Sequence, residues 1–274
     1  MSLFAIDQEK CKHDFYCVAA CPARIIEAVD KDAVPQPIAG AEELCINCGH
    51  CVAVCPHEAL SLKTMKPEQC PPARRDFLPG PEQVEHFFRY RRSTRNYKDE
   101  PVERGKLSRL IDMARYAPSG HNLQPVHWLV IEDSNEVKRL AGIVIDWMRW
   151  MIREHPTIAA QWHFERIVGA WGQGLDRVLR GAPHLVAAHG EASLPPAQVA
   201  CIIALSYLEL AASALGLGAC WAGYFTTCAN NYAPMKEALA LPNGHTTFGG
   251  MMVGHPKLKY QRFPLRNEPR ITWR

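Results

Sequence analysis

Four cysteines in one short run constrain this chain more than any other feature. Residues 45–56 read C-I-N-C-G-H-C-V-A-V-C-P, the spacing C-x2-C-x2-C-x3-C-P. Three thiolates on one tight loop can cap three corners of an iron–sulphur cube, while the fourth, carried away on the next turn, reaches a different cube. Thiolates also suit zinc, but zinc sites usually array their cysteines as separated pairs. The spacing therefore favours iron and sulphide. Residues 11–22 repeat the frame as C-K-H-D-F-Y-C-V-A-A-C-P, with Asp14 in the second ligand position.

Eleven cysteines are present, and eight precede residue 71. The opening M-S-L-F-A-I-D-Q-E-K has no basic segment followed by an apolar run, so no export signal is expected. Disulfides are then disfavoured, and the expected location is a reducing cytoplasm. The net charge of +3 gives no general attraction to nucleic acid or to a membrane. The apolar stretch 199–217 is interrupted by Ser206, Glu209 and Ser213. It reads as a buried helix, not a membrane span.

Composition divides the chain into 1–65, a stiff proline-rich linker over 66–81 (K-P-E-Q-C-P-P-A-R-R-D-F-L-P-G-P), and 82–274. Cys70, inside the linker, reads as an unligated surface thiol. In the third region helical periodicity runs over 82–90, 103–116 and 196–215, and strands are expected at 127–132, 184–189 and 246–253. Helices interleaved with a few strands predict an α+β domain around one sheet. Trp147, Met148, Trp150, Met151, Trp162, Phe164 and Trp171 recur at helical spacing; they serve as core or as the lid of a substrate pocket.

Four segments carry polar or permissive chemistry: R-R-S-T-R-N-Y at 91–97, A-P-S-G-H-N-L-Q-P at 117–125, G-L-G-A-C-W-A-G-Y-F at 216–225, and G-H-P-K-L-K-Y-Q-R-F-P-L-R at 254–266. Arginines with a serine suit a phosphate or a chain of hydroxyls. Amides and hydroxyls suit the polar edge of a ring system. Glycines allow a flat ligand to approach the backbone. No G-x-G-x-x-G follows a strand, so no dedicated dinucleotide domain is expected.

The N-terminal repeat resembles a bacterial two-cluster ferredoxin. The resemblance implies one cluster on Cys45, Cys48, Cys51 and Cys21, and another on Cys11, Cys17 and Cys55 with Asp14 in the fourth place. A carboxylate is a harder iron ligand than a thiolate. The second site therefore holds either a 4Fe–4S cube bound by Asp14 or a 3Fe–4S cluster, unless Asp14 is a plain loop residue and the site is empty.

In order and spacing, the four later segments resemble the nitroreductase family, in particular its branch with an N-terminal ferredoxin domain. What this implies is a small ferredoxin-like iron–sulphur domain followed by an FMN-binding α+β domain, in a homodimer with FMN at the interface. Arg91, Arg92, Ser93 and Arg95 would hold the phosphate and ribityl chain, with Arg262 also on the phosphate. Pro118, Ser119 and Asn122 would touch the ring of the partner's flavin. The backbone at Ala222 and Gly223 would approach flavin N5. No side chain is assigned as a catalytic acid or base. Electrons would come from an external low-potential donor of ferredoxin type, or from NAD(P)H, and leave to a small acceptor such as a nitroaromatic or quinone. A specialised flavin enzyme of the same fold (dehydrogenase or dehalogenase) and a flavin-free electron carrier are the alternatives.

Overall fold

The computed structural model describes residues 3–274, which form two compact units. One comprises residues up to Leu78 together with His121–Leu123; the other holds Pro79–Gly120 and Gln124–Arg274.

The first unit is built from very short elements: β1 (Phe4–Ile6), α1 (Tyr16–Ala20), β2 (Ile26–Glu27), β3 (Gln36–Pro37), α2 (Ala41–Leu44), α3 (His50–Ala53) and β4 (Leu60–Leu62). Two antiparallel ribbons, β1 with β4 and β2 with β3, frame it. The repeat seen in the sequence reappears in the backbone. His13, Phe15 and Arg24 in the first half, and Asn47, Gly49 and Glu58 at the equivalent places in the second, all have left-handed φ. Each cysteine loop thus makes the same reversals and leads into a single helical turn, α1 or α3. A side chain at Gly49 would meet the Met65 sulphur, so glycine eases both the packing and the left-handed φ at that reversal, although Phe15 adopts a left-handed φ at the equivalent place in the first half.

The stretch read as a linker is not separate from this unit. Lys66–Leu78 contains two short 3-10 turns, Pro67–Gln69 and Arg75–Phe77. Pro67 is buried, and Cys70, a free thiol as expected, is half-buried against the small core instead of lying on the surface.

The second unit contains α4 (Pro81–Tyr90), α5 (Arg104–Ala114), β5 (His127–Ile131), α6 (Ser134–Glu154), α7 (Pro156–Gln161), α8 (Phe164–Gly172), β6 (His184–Glu191), α9 (Pro196–Ala214), β7 (Gly218–Trp221), α10 (Gly223–Asn231), α11 (Ala233–Leu239) and β8 (His245–Gly254). Their starts follow ordinary capping rules. Pro81 opens α4, whose Gln83 side chain accepts from the Gly80 N–H, and Asp133 caps α6 by accepting from the Asn135 N–H.

The strands form one antiparallel sheet ordered β5-β6-β8-β7. Its alternation sorts side chains between two cores. Leu185, Ala187, Cys220 and Met252 point into a core shared with α6, α8, α10 and α11. Val186, Ala188, Ala219, Met251 and Val253 point into the opposite one, shared with α5 and α9. The result is three layers, helix–sheet–helix, the α+β class expected. α9 is long and apolar enough to cross a membrane by length and composition. Here it buries Ala204, Leu205, Leu208 and Ala212 against the sheet and α5. Gly249 lets it approach, since a Cβ there would fall 2.4 Å from Leu205 Cδ1.

Two histidine arrangements set the sheet's polar margins. His184 accepts from the Val102 N–H through Nε2 (2.7 Å) and donates Nδ1–H to the Glu132 carbonyl (2.9 Å), which fixes one neutral tautomer. Burial lowers its pKa. His189 and His245 face each other, Nδ1 to Nδ1, at 3.0 Å, with His127 against both rings.

Candidate functional site

In the first unit the thiols gather in two groups. Cys21, Cys45, Cys48 and Cys51 line one apolar cavity with Ile25, Ile46 and Leu62. Burial pushes the Cys51 thiol up to about 11, and the neighbouring Cys48 and Cys21 push the same way. Cys17 is also raised, chiefly by burial, with Cys55 and Cys11 adding to it. Thus Cys11, Cys17 and Cys55 are close neighbours in one group and Cys21, Cys45, Cys48 and Cys51 in the other. Backbone N–H groups of Asn47 and Ala59 reach the Cys45 and Cys55 sulphurs, each at 3.4 Å. Thiols raised by burial and by one another are poor acids until a metal replaces their protons. Soft donors gathered beside apolar side chains suit an iron–sulphur cluster. Asp14 Oδ2 lies 2.8 Å from His57 Nε2; His57 entered no sequence argument, since nothing in its spacing marks it. All eleven cysteines are free thiols.

In the second unit the R-R-S-T-R-N-Y segment lies along the outer edge of the sheet. Ser93 forms a parallel bridge with Ala219 of β7, and the Thr94 N–H donates to the Ala219 carbonyl. Tyr97 is buried and its hydroxyl donates to the Thr94 carbonyl (2.6 Å). This pins the arginines on either side. Arg91 and Arg92 line a cavity of about 500 Å³ with Phe263 and Arg266. Arg91 is paired with Glu209 of α9 at 2.8 Å. Arg92 lies over the Tyr260 ring, and its Nε is buried without a hydrogen-bond partner. Arg262, expected beside them, does not line this cavity; Arg266 is the tail arginine that does.

Arg95 belongs to a second cavity, of about 450 Å³, whose walls include Trp147, Phe164, Trp221, Gly223 and Tyr224. The Ala222 N–H is already given to the Gly250 carbonyl (2.8 Å). The donor left at that turn is the Gly223 N–H, which opens α10 and has no intrahelical acceptor. Pro118 and Ser119 line a third cavity, of about 280 Å³, with Arg115 and Trp128. Asn122 sits apart from both, its amide donating to the Asn47 carbonyl (2.9 Å) within the first unit. The residues singled out in the sequence are therefore spread over three cavities and one backbone contact. The pocket also recruits Arg177, Arg180 and Tyr224. The two arginines lie on an aperiodic turn and carry no sequence signal.

Known proteins give this geometry a context. The family model described as the nitroreductase family matches residues 88–255. The chain belongs to the nitroreductase family. A model for a 4Fe–4S dicluster domain matches residues 9–60, so this nitroreductase begins with a ferredoxin-type domain. It is 27% identical over 175 residues to an FMN reductase [NAD(P)H] of Bacillus subtilis, covering 60% of this chain and 62% of that protein. It is 29% identical over 136 residues to an iodotyrosine deiodinase of Thermotoga neapolitana, covering 47% and 67%. Among solved structures, a nitroreductase with bound FMN from Desulfitobacterium hafniense aligns at a TM-score of 0.57 and 22% identity, over 70% of this chain and 97% of that one. That likeness is one of fold.

Proposed function

We propose that the protein is an FMN-dependent oxidoreductase in which electrons enter at clusters on the N-terminal thiolates and leave as pairs to a small acceptor, a nitroaromatic or quinone. The observation that carries this reading is the arginine cavity. Four arginines, Arg89, Arg91, Arg92 and Arg266, line it with a single acid, Glu85, leaving an excess of positive charge that asks for an anion. An anion with several oxygens, such as the FMN phosphate, answers that demand. Bound FMN would supply the conversion of single electrons into pairs. Reducing a nitro group to nitroso takes two electrons and two protons and releases water, so two one-electron deliveries match one turnover.

The chain's own residues have distinct parts in this scheme. Arg92 and Arg266 neutralise the phosphate, while Glu209 keeps Arg91 oriented toward it. Arg95 and the Gly223 N–H stand at the wall of the pocket where the ring system would lie. Two clusters are proposed, one on Cys45, Cys48, Cys51 and Cys21, the other on Cys11, Cys17 and Cys55 with Asp14, as 4Fe–4S or 3Fe–4S. Electrons come from a ferredoxin-like donor or NAD(P)H. Such clusters need a reducing compartment, and the cytoplasm fits.

A homodimer is part of the proposal. Pro118 and Ser119 lie in a different cavity from Arg95 and Gly223 within one chain, so a second copy would be needed to bring that loop to a flavin. Val199, Ile202 and Tyr207 of α9, with Met113 and Tyr116 beside α5, are exposed apolar side chains that such a copy would cover.

Anaerobic purification with iron, sulphide, zinc and FMN measured per chain tests all of this. Flavin bands over a broad iron–sulphur shoulder are expected, with reduction of nitro compounds and quinones by a strong donor. Zinc on the thiols or colourless protein would end the proposal. Iodinated phenols belong in the acceptor survey because of the deiodinase likeness; activity confined to them would favour the dehalogenase reading.

A further inference from the structure

The pocket that holds Arg95 and Gly223 is more elaborate than a flat ring system requires. Its apolar wall is aromatic: Trp147 of α6, Trp162 after α7, Phe164 of α8, Trp221 of β7 and Tyr224 of α10. Phe164 sits 5.3 Å from the Trp147 ring and edge-on to Tyr224 at 6.0 Å. Trp147, Trp162 and Phe164 belong to the tryptophan- and methionine-rich region, so that region is both core and pocket wall. Trp147 is 3% exposed, yet its indole N–H has no hydrogen-bond partner. That N–H is itself covered by protein, so it is not a contact that a ligand in the cavity would reach.

Two cations complete the pocket. Arg177 and Arg180 come from the turn between α8 and β6. The acid nearest them in sequence is already engaged. Asp176 Oδ1 accepts from the Val178 and Leu179 N–H groups, and Oδ2 accepts from the Gly181 N–H. Among the described residues neither arginine forms an ion pair. Arg180 has φ 62, a left-handed conformation unfavourable for a long side chain, and the Asp176 bonds brace the turn that imposes it. Unpaired guanidinium groups on a braced turn, facing an aromatic slot, form a receptor for an aromatic anion.

We propose that the acceptor reduced by this protein is a planar aromatic carboxylate. Its ring packs between the indoles, and its carboxylate meets Arg177 and Arg180. This rests on the flavin reading above and names the acceptor class for it.

The test compares 4-nitrobenzoate with 4-nitrobenzamide, equal in size and differing in charge, on the FMN-loaded holoenzyme. A KM lower for the carboxylate by about tenfold or more is expected, the effect of a charge-assisted hydrogen bond. Benzoate, which lacks a reducible group, should quench tryptophan fluorescence and perturb the flavin bands, whereas benzamide should do neither at equal concentration. Arg177→Gln with Arg180→Asn (asparagine tolerates the left-handed backbone) should bring the KM ratio toward one with FMN content per chain unchanged. Equal KM values for the two nitro compounds in the wild-type protein would overturn the proposal without any variant. So would a double variant that loses FMN, which would make these arginines cofactor ligands. Protein that takes up no FMN would overturn the flavin reading along with it; FMN-loaded protein with equal KM values would overturn this proposal alone.

Discussion

The two units of this molecule are held together by different means. In the first, strands are two or three residues long and the fully buried apolar set is Phe4, Ile25, Ile26, Ala41, Cys51, Val52, Leu60 and Leu62. In the second, an eight-residue strand, β6, is buried along nearly its whole length, with helices on both faces. A core of a few aliphatic residues cannot offset the entropy of ordering six dozen others, so the first unit must draw on bonds other than packing. Where a fold is held by its ligands, the ligand positions are also what is legible in its sequence.

Iron removal should separate the units most sharply. After anaerobic chelation, hydrogen exchange across Phe4–Leu62 should become nearly unprotected, while β6 and β8 keep their protection. Equal protection in both units would mean that the small core suffices. The converse perturbation is Leu205→Ala, which removes a side chain with no exposed surface between α9 and the sheet. It should cost about 3 kcal/mol, and on the order of 10 °C in the second unit's Tm. The visible absorbance of the clusters should persist in that variant at room temperature.

Acidity gives a smaller effect confined to the second unit. Burial, then the charges of His245 and His127, hold His189 down to about 4 against an ordinary 6.5. Between those values the unfolded chain takes up a proton that the folded one refuses. Stability therefore falls as pH drops through the window and levels off below it. The full shift would be worth about 3 kcal/mol, and solvent screening of a ring at the sheet's margin reduces the loss to roughly 2 kcal/mol, with His184 adding in the same direction. Urea titrations at pH 7, 5.5 and 4 should show it, and His189→Gln should flatten the slope. The smallest effect is expected at the exposed Arg104–Glu132 pair, where Arg104→Ala should leave Tm unmoved by differential scanning calorimetry.

The cysteine frame and the strands at 127, 184 and 246 are readable because each carries a local signal: ligand spacing in one case, continuous apolar runs in the other. β7 was not. Gly216 precedes and Gly218 opens a four-residue strand, and so short a segment in glycine-rich sequence looks like a loop. Among the site residues, the Arg91–Arg95 segment announces itself through density of charge. Arg177 and Arg180 do not, because an isolated arginine on an aperiodic turn acquires meaning only when α6, α8 and α10 close around it. The tail is a third case. Arg262 and Arg266 are both arginines in one irregular segment, and only the path of the backbone decides which one meets Arg92.

The parallel bridge between Ser93 and Ala219 has a consequence beyond holding arginines. Sheets present open hydrogen-bonding margins at their outermost strands, and such margins recruit other chains. On the β7 side the Arg91–Tyr97 segment, proposed above to hold the phosphate, itself occupies part of that margin. Substitutions that loosen it, such as Tyr97→Ala, would uncover a strand as well as weaken a grip, and insoluble protein would then accompany the loss of cofactor.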